Sequence, residues 1–190
     1  MTEEKIRCWE KGSANPIPDS KYERYKEKLV ELSKEYPERN LMLFLLARAT
    51  GYRMQDIITL TVGEIKDALD KGYFEIQEQK QYKQWQSEVV KNPNRRKPKK
   101  RVAEIGPSLE KHLKQYLKGK KRSEFAFPSR KGKGNEALTQ KSYSDKLKEV
   151  GKAIGLEHIT GHSPRKTYAT KIYTETNGNL EAVRIALGHK

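Results

Sequence analysis

Residues 39–72 read RNLMLFLLARATGYRMQDIITLTVGEIKDALDKG, and this stretch carries the strongest structural signal of the chain. Apolar side chains dominate residues 39–50, which predicts a largely buried helix. Gly51 is placed to end that helix, because glycine adopts the left-handed conformation of a C-terminal cap without steric cost. A short helix is expected next, over residues 54–60. The quoted stretch therefore predicts a helical core.

Further helix signals lie on both sides of residues 54–60. Thr61 and Glu64 have the spacing of a capping box, and the helix that they begin is expected to end before Gly72. Upstream, apolar residues at spacings of three and four predict a helix from Asp19 or Ser20 to about Glu35. The other predicted helices run from Pro107 to about Leu117, from Thr139 to about Ile154, from Ser163 to about Thr174 and from Asn179 through Leu187. In the third of them, Ser163 is expected to be the N-cap and Pro164 to lie in the first turn.

One small sheet is predicted beside these helices. Residues 73–79 (YFEIQEQ) alternate apolar and polar, as a half-buried strand does, and residues 101–105 (RVAEI) are the expected partner. The connection between them is basic: residues 91–101 (KNPNRRKPKKR) hold seven basic residues and no acidic one. Such a run is either a solvated, mobile loop or an arm that orders on binding DNA. The predicted fold class is mainly α with a small antiparallel β-sheet (α+β).

The length of the chain limits the number of domains, and its charge indicates the kind of partner. A chain of 190 residues predicts a single domain, over residues 19–190, after a flexible leader over residues 1–18. Pro16 and Pro18 oppose regular structure in that leader. The 40 basic and 25 acidic residues give a formal net charge of +15, which favours a polyanionic partner.

Other features of the composition exclude several classes of protein. The longest apolar run, residues 41–47, is too short to span a bilayer, and the N-terminus lacks the apolar stretch of a secretory signal. Cys8 is the only cysteine, which excludes a disulfide framework and a cysteine-based zinc site. These features predict a reducing, intracellular compartment, and nucleic acid rather than a membrane as the partner.

Two arginines and two histidines, far apart in the chain, form the candidate site: Arg53, His162, Arg165 and His189. His162 precedes the helix start at Ser163 and Arg165 lies in its first turn, where backbone N–H groups and the helix dipole favour an anion. An arginine grips two phosphate oxygens through a forked pair of hydrogen bonds. Arg53 would complete a clamp, with Asp56 holding its guanidinium in place. Such a clamp stabilises a pentacoordinate phosphorus transition state.

Each member of this set also has a simpler interpretation. An arginine at a helix start is commonly a surface or salt-bridge residue, and a histidine near a terminus is commonly solvated. His158 and His162 stand four apart, as a metal-binding pair does, but Gly161 and Pro164 argue against one helix carrying both. No metal is therefore predicted, and only the combination points to a phosphate.

The combination resembles the catalytic domain of the tyrosine recombinases, the phage integrase family. TGYRMQDIITLT (residues 50–61) resembles the first arginine box, HSPRKTYAT (residues 162–170) the His-x-x-Arg box, and ALGH (residues 186–189) the third box. FAFPSRKGKGNEALTQKSYSDKL (residues 125–147) resembles the short extended piece, loop and helix that the family has between these boxes. The similarity covers about residues 39–190.

The resemblance implies a role for each residue of the set. Arg53 and Arg165 would clamp the scissile phosphate. His162 would assist proton transfer or phosphate binding, and His189 would hydrogen-bond the phosphate. Lys80, at the end of the first predicted strand, would be the general acid for the leaving 5′-oxygen, with Lys83 as the alternative. The family's reaction uses no cofactor, metal or ATP: a tyrosine attacks phosphorus and holds the strand as a 3′-phosphotyrosine.

Duplex DNA is the implied partner, together with other recombinase protomers in a synaptic tetramer. The residues expected to contact DNA are basic and lie in the hairpin connection, in the glycine-rich loop or beside the box arginine: Lys83, Arg95, Arg96, Lys97, Lys99, Lys100, Arg101, Arg130, Lys131, Lys133 and Lys166. The implied location is the cytoplasm of a bacterium, on nucleoid, phage or mobile-element DNA.

The sequence departs from the family pattern in three places. Lys166 stands where the family often has a second histidine, and the hairpin connection is longer and more basic than usual. The family's nucleophilic tyrosine follows the third box, whereas the sequence stops at Lys190. Tyr168 and Tyr173 are not substitutes, because their spacings suit packing of the helix. The chain as given is therefore expected to bind DNA without cleaving it.

The N-terminal side is also short, since residues 1–38 are too few for the separate core-binding domain of many integrases. Two other interpretations stay open. The chain could be a non-catalytic DNA-binding or regulatory relative of the recombinases. It could also be a basic RNA-binding module, which explains the charge but not the ordered boxes.

Overall fold

The computed structural model describes residues 14–131 and 135–189. Its helices are α1 (Tyr22–Leu32), α2 (Pro37–Thr50), α3 (Met54–Ile57), α4 (Val62–Lys71), α5 (Gln79–Val89), α6 (Pro107–Tyr116), α7 (Gln140–Ala153), α8 (Ser163–Glu175) and α9 (Leu180–Ala186). Strands β1 (Tyr73–Ile76) and β2 (Arg101–Glu104) pair as an antiparallel sheet. The predicted fold class, mainly α with a small antiparallel sheet, is confirmed. No helix among the described residues is long and apolar enough to cross a bilayer.

Helix α2 lies at the centre of the core, packed against α1, α6 and α8. It is apolar on nearly every side, so no broad face is left for water, and Leu43 and Leu46 are fully buried. Tyr25 of α1 stacks on Phe44 with 5.2 Å between ring centroids. The Tyr25 hydroxyl donates to the carbonyl of Leu147 in α7 at 2.8 Å, which ties α1 to α7.

The predicted caps of α2 and α4 are confirmed. Gly51 ends α2 with a φ of +62°, and a Cβ atom at this position would lie 2.3 Å from Cδ1 of Tyr168. Glycine therefore satisfies both the left-handed backbone and the close approach of the ring. Thr61 begins α4 with both capping-box hydrogen bonds to Glu64 in place.

The start of α8 differs from the prediction by one residue. His162 is the N-cap residue, and Ser163 is the first helical residue. The Ser163 hydroxyl accepts a hydrogen bond from the Thr160 N–H at 3.0 Å, in the turn before the helix. That bond occupies the oxygen that was expected to cap α8. Pro164 lies in the first turn, as predicted.

The connection between the strands contains α5, which the sequence analysis did not predict. Strand β1 ends at Ile76, earlier than expected, and its register begins with Tyr73 opposite Glu104. Helix α5 is rich in Gln and Lys, which favour helices without making an apolar stripe. Its apolar contact is local: the rings of Tyr82 and Trp85, three positions apart, have centroids 5.4 Å apart.

Residues 14–18 pack on the core, which corrects their assignment to a loose leader. Ile17 is 2% exposed, and its N–H donates to Oγ1 of Thr167 at 2.8 Å. The N–H of Asn15 donates to the carbonyl of His158 at 3.0 Å. The two prolines oppose a helix here, but they allow an extended segment that bonds to the core. The rest of the predicted leader lies outside the described residues.

Residues 125–129 (FAFPS) form an extended segment, as the family resemblance implies. Phe125 makes an isolated antiparallel bridge with Thr61, and Pro128 makes another with Ala137. Neither bridge joins the sheet of β1 and β2. The segment thus links the start of α4 to the residues that precede α7.

Candidate functional site

Arg165 is the centre of a buried group of polar contacts. It lies in the first turn of α8 and is 9% exposed. Its Nη1 donates to the carbonyl of Gly51 at 2.6 Å, and its Nη2 donates to the carbonyl of Leu187 at 2.9 Å. The same Nη2 lies 3.3 Å from Nε2 of His189. Two of the predicted site residues, Arg165 and His189, are therefore in contact.

A carboxylate that the sequence analysis missed joins the two predicted arginines. Glu78 follows β1 and is 1% exposed. Its Oε1 accepts a hydrogen bond from Nη1 of Arg165 at 2.9 Å. Its Oε2 lies 2.7 Å from Nη1 of Arg53, an ion pair rather than an aligned hydrogen bond, and accepts from Nε2 of Gln81 at 3.1 Å. One carboxylate thus sets the separation of both guanidinium groups.

Little in the sequence could have pointed to Glu78. It is one acidic residue in a strand-like segment, two positions before Lys80, and many exposed strands carry such a residue. Its burial depends on α8 and on Arg53, which are distant in sequence. A search for acidic partners of the two arginines would have had to consider every Asp and Glu of the chain.

Asp56 does not hold Arg53, contrary to the prediction. Its Oδ1 accepts a hydrogen bond from the backbone N–H of Gln79 at 2.9 Å, which anchors the start of α5. The carboxylate that pairs with Arg53 is Glu78. Burial raises the pKa of Asp56 above the ordinary aspartate value, and the charge of Glu78 acts in the same direction, while the bond from Gln79 opposes them.

A cavity of about 480 Å³ opens beside Arg53. Arg53, His189 and Lys80 line it, together with side chains of α5 and of the basic connection. Lys80 lies in the first turn of α5 and not on a strand, which corrects its predicted position in the fold. It nevertheless reaches the same cavity as Arg53 and His189. The alternative, Lys83, is exposed on α5 and is not part of the cavity wall.

Both histidines of the site stand in positive surroundings. His162 is exposed as a whole residue, but partial burial lowers its pKa below the ordinary histidine value, and the charges of Arg165 and Arg53 lower it further. The same causes, burial first, lower the pKa of His189. Both imidazoles are held toward their neutral forms by cations that would attract a phosphate.

The basic connection between the strands packs on α5. The indole N–H of Trp85 donates to the carbonyl of Arg95 at 2.9 Å. The Nε of Arg95 lies 2.5 Å from Oε2 of Glu88, and the ammonium of Lys97 lies 5.2 Å from the ring centroid of Tyr82. The segment from α5 back to β2, residues 90–100, is called the return segment. Its residues 95–97 are therefore held against α5 in the described structure.

The other basic residues of this connection differ in position. Arg96 lines the cavity, as Arg95 does. Lys99 is exposed, and Lys100 is exposed with its ammonium 3.7 Å from Oε2 of Glu75. These side chains extend the positive surface from the cavity toward the sheet.

Arg101 is a structural residue, which corrects its assignment to DNA contact. It is 8% exposed, its Nε donates to the carbonyl of Ala186 at 2.9 Å, and its Nη2 donates to the carbonyl of Thr50. Its guanidinium stacks over the ring of Tyr52, 4.2 Å from the centroid. The side chain therefore joins the ends of α2 and α9.

The remaining candidates for DNA contact lie elsewhere. Arg130 and Lys131 line a separate groove of about 710 Å³, which shares no residue with the cavity beside Arg53, and Arg130 pairs with Glu35 at 2.9 Å. Lys133 lies outside the described residues. Lys166 is half-buried on α8, and its charge is among those that lower the pKa of His162.

Proteins with similar sequences are recombinases. The probable integrase/recombinase YoeC of Bacillus subtilis is 27% identical over 148 residues, which cover 78% of this chain and 70% of that protein. The tyrosine recombinase XerA of Pyrococcus furiosus is 25% identical over 190 residues, which cover all of this chain and 59% of that protein.

Solved structures share the fold. The XerH site-specific recombinase bound to difH substrate superposes with a TM-score of 0.64 at 22% identity, covering 93% of this chain and 47% of that one. The Tn1549 transposon integrase in complex with circular intermediate DNA gives 0.65 at 13% identity, covering 95% and 60%. The chain therefore spans about half to three fifths of these two structures. With the phage integrase family model matching residues 22–190, the chain belongs to the phage integrase family.

Proposed function

We propose that this chain is the catalytic domain of a site-specific DNA recombinase, which cuts and rejoins strands through a 3′-phosphotyrosine intermediate. One observation carries the proposal: Arg53, Lys80 and His189 line one cavity, and Arg165 lies 3.3 Å from His189. The single carboxylate of Glu78 offsets only one of the two charges of Arg53 and Arg165, and Lys80 adds a further positive charge, so the site keeps an excess of positive charge that would attract an anion. The family match supports a phosphodiester as that anion.

The two arginines would clamp the scissile phosphate. Each guanidinium carries five N–H donors. On Arg165, Nη1 contacts Glu78 and the carbonyl of Gly51, and Nη2 contacts the carbonyl of Leu187 and the ring of His189, so a phosphate would take the Nε donor or the place of His189 on Nη2. Charge that develops on the pentacoordinate phosphorus would meet fixed positive groups, which lowers the barrier. His162 and His189 would hydrogen-bond the phosphate oxygens or assist proton transfer.

Lys80 would be the general acid. The tyrosine hydroxyl would lose its proton to His162 or to solvent as its oxygen bonds to phosphorus. The bond from phosphorus to the 5′-oxygen would break, and the ammonium proton of Lys80 would pass to the 5′-oxygen. Lys80 is exposed in the cavity wall, where a DNA strand could approach it. Tyr168 is not assigned as the nucleophile, because its ring packs on Gly51.

The proposed partner is duplex DNA, bound by several copies of the protein in a synaptic tetramer. The net charge of +15 and the exposed Lys99, Lys100 and Arg96 support contacts to many phosphates. We place this activity in the bacterial cytoplasm, on chromosomal, phage or mobile-element DNA. A basic RNA-binding module would not need the four basic groups at one cavity.

Binding of a labelled duplex to purified variants tests the clamp. Arg53→Ala and Arg165→Ala should each weaken binding by about tenfold or more, as loss of a charge-assisted forked contact does. Lys99→Ala, the exposed control, should weaken binding less. It should also reduce the salt slope, the slope of log affinity against log salt concentration, by about one. Circular dichroism verifies folding of each variant. Equal losses for the three variants, or an affinity that does not change with salt, would contradict the proposal.

Covalent trapping tests the chemistry. The full-length gene product is incubated with a nicked suicide duplex, and protein–DNA adducts are separated on a denaturing gel. A recombinase should accumulate an adduct that Lys80→Ala or Arg53→Ala reduces by about a hundredfold or more. Tight, salt-dependent duplex binding without any adduct would support the alternative, a non-catalytic DNA-binding relative.

A further inference from the structure

We infer that the cavity beside the clamp binds one unpaired nucleobase, stacked on Trp85, next to the phosphate held by Arg53. This inference rests on the proposed function and adds base recognition to phosphate binding. The inference is drawn from α5 and the return segment, whose side chains line the same cavity as Arg53. None of the residues of α5 beyond Lys80 has a part in the proposed chemistry.

The cavity has the size and charge for a nucleotide. Its volume of about 480 Å³ is within the range of small-molecule sites, about 300–1,000 Å³. Four of its side chains are cations and one is a carboxylate: Arg53, Lys80, Arg95, Arg96 and Glu88. The carboxylate is already paired with Arg95 at 2.5 Å, so the remaining cations give the cavity a net positive charge suited to a phosphate.

Trp85 supplies the apolar part of the same cavity. Its indole N–H is its only donor, and the carbonyl of Arg95 accepts it at 2.9 Å. The ring therefore has no hydrogen bond left to give and can recognise a ligand only through its aromatic surface. Tyr82 supports it from the same helix, with 5.4 Å between centroids. A nucleobase stacks on such a surface whatever its sequence.

The position of Trp85 relative to the clamp is set by the start of α5. The N–H of Gln79 bonds to Asp56 at 2.9 Å, and Nε2 of Gln81 donates to the carbonyl of Gly188 at 2.7 Å. Both bonds join α5 to the segments that carry Arg53 and His189. The phosphate site and the aromatic wall are thus held at one separation, as recognition of a phosphate and its neighbouring base requires.

A base inside a duplex cannot reach Trp85 without leaving its stack. The inferred ligand is therefore a base already unpaired beside the cut, as occurs when strands separate for exchange. The probes are two labelled single strands of about eight nucleotides, one of thymidine and one of abasic units with the same charge. Binding is measured by fluorescence anisotropy for the wild type and for each variant.

The expected result is a base preference that depends on Trp85. The wild type should prefer the thymidine strand by about tenfold, and Trp85→Ala should reduce that preference to less than about twofold. Trp85→Phe should keep most of it. Tyr73→Ala removes an aromatic residue that is 38% exposed and outside the cavity, and it should change nothing. A Trp85→Ala protein that keeps the full preference, or a wild type without one, overturns the inference.

Arg53→Ala separates this inference from the proposed function. It should weaken binding of both strands alike and leave their ratio unchanged, because both carry the same phosphates. If Arg53→Ala affects neither strand, the phosphate clamp is wrong, while the ratio measured with Trp85→Ala still decides whether a base stacks there. If Trp85→Ala loses its fold, Trp85→Leu, which keeps apolar volume but has no aromatic ring, replaces it: a preference below about twofold supports stacking, and a full preference overturns the inference.

Discussion

Oε1 of Glu78 accepts a hydrogen bond from Nη1 of Arg165 at 2.9 Å and so joins the end of β1 to the first turn of α8 across 87 positions of sequence. Its other oxygen pairs with Arg53. Both carboxylate oxygens are therefore committed to the clamp, and Glu78 itself is 1% exposed. The carboxylate therefore fixes the positions of both guanidinium groups, as the proposed phosphate clamp requires.

Removal of Glu78 should destabilise the fold. Glu78→Ala would leave two arginines largely buried without their counter-ion, and breaking a buried pair in this way costs about 3–5 kcal/mol of unfolding free energy. Glu78→Gln should cost less, because the amide oxygen can still accept a hydrogen bond. Urea denaturation gives both values.

The matched control for Glu78 is an exposed ion pair. Asp145 pairs with Lys141 at 2.9 Å, but their side chains are 63% and 87% exposed. Asp145→Ala should therefore change the unfolding free energy by less than about 0.5 kcal/mol. A Glu78→Ala protein as stable as Asp145→Ala would show that the buried pair does not stabilise the fold.

Gly51 should tolerate substitution less well than Gly72, although both have positive φ. A Cβ at Gly72 (φ +81°) meets nothing within 4 Å, so Gly72→Ala should cost only the backbone strain, about 1–2 kcal/mol. A Cβ at Gly51 would also collide with the ring of Tyr168 at 2.3 Å. Gly51→Ala should therefore lower the melting temperature further than Gly72→Ala, and equal melting temperatures would refute the role of the ring.

Arg101 and Lys100 are neighbours in sequence, but their removal should affect different properties: stability for Arg101 and DNA binding for Lys100. Arg101→Ala should lower the unfolding free energy by about 2–3 kcal/mol, because two backbone carbonyls lose a charged donor in a buried place. Lys100→Ala should leave stability nearly unchanged and reduce the salt slope of DNA binding by about one. Denaturation and a salt series on both variants measure this. A stable Arg101→Ala protein with a reduced salt slope would restore Arg101 as a DNA contact.

His162 and His189 should titrate at lower pH than an ordinary histidine, whose pKa is about 6.5. Their pKa values are lowered in the folded protein by burial and then by the arginines. The unfolded chain consequently binds more protons just below pH ~6.5, and these histidines make the folded state less stable as pH falls through that range. NMR titration, with His162→Gln and His189→Gln for assignment, gives the midpoints. Midpoints at or above about 6.5 would contradict the positive surroundings.

Helix α5 is an element that local sequence patterns did not predict. Residues 39–50 and the caps at Gly51 and Thr61 were predictable, because apolar runs and caps depend on neighbours a few positions away. Helix α5 carries only three apolar residues at helical spacing, Tyr82, Trp85 and Val89, none of them buried, and it was missed. Its start is anchored by Asp56, which lies 23 positions before Gln79.

The helical class, the small sheet and the basic residues of the three boxes could be predicted from the sequence, since these follow from local pattern and from residue type. The tertiary structure alone decided that Glu78, not Asp56, holds the arginines. It also decided that Arg101 turns inward, to a carbonyl 51 positions away. The physical reason is that ion pairing and desolvation depend on distances through space, which residues far apart in the chain acquire only when helices and strands pack.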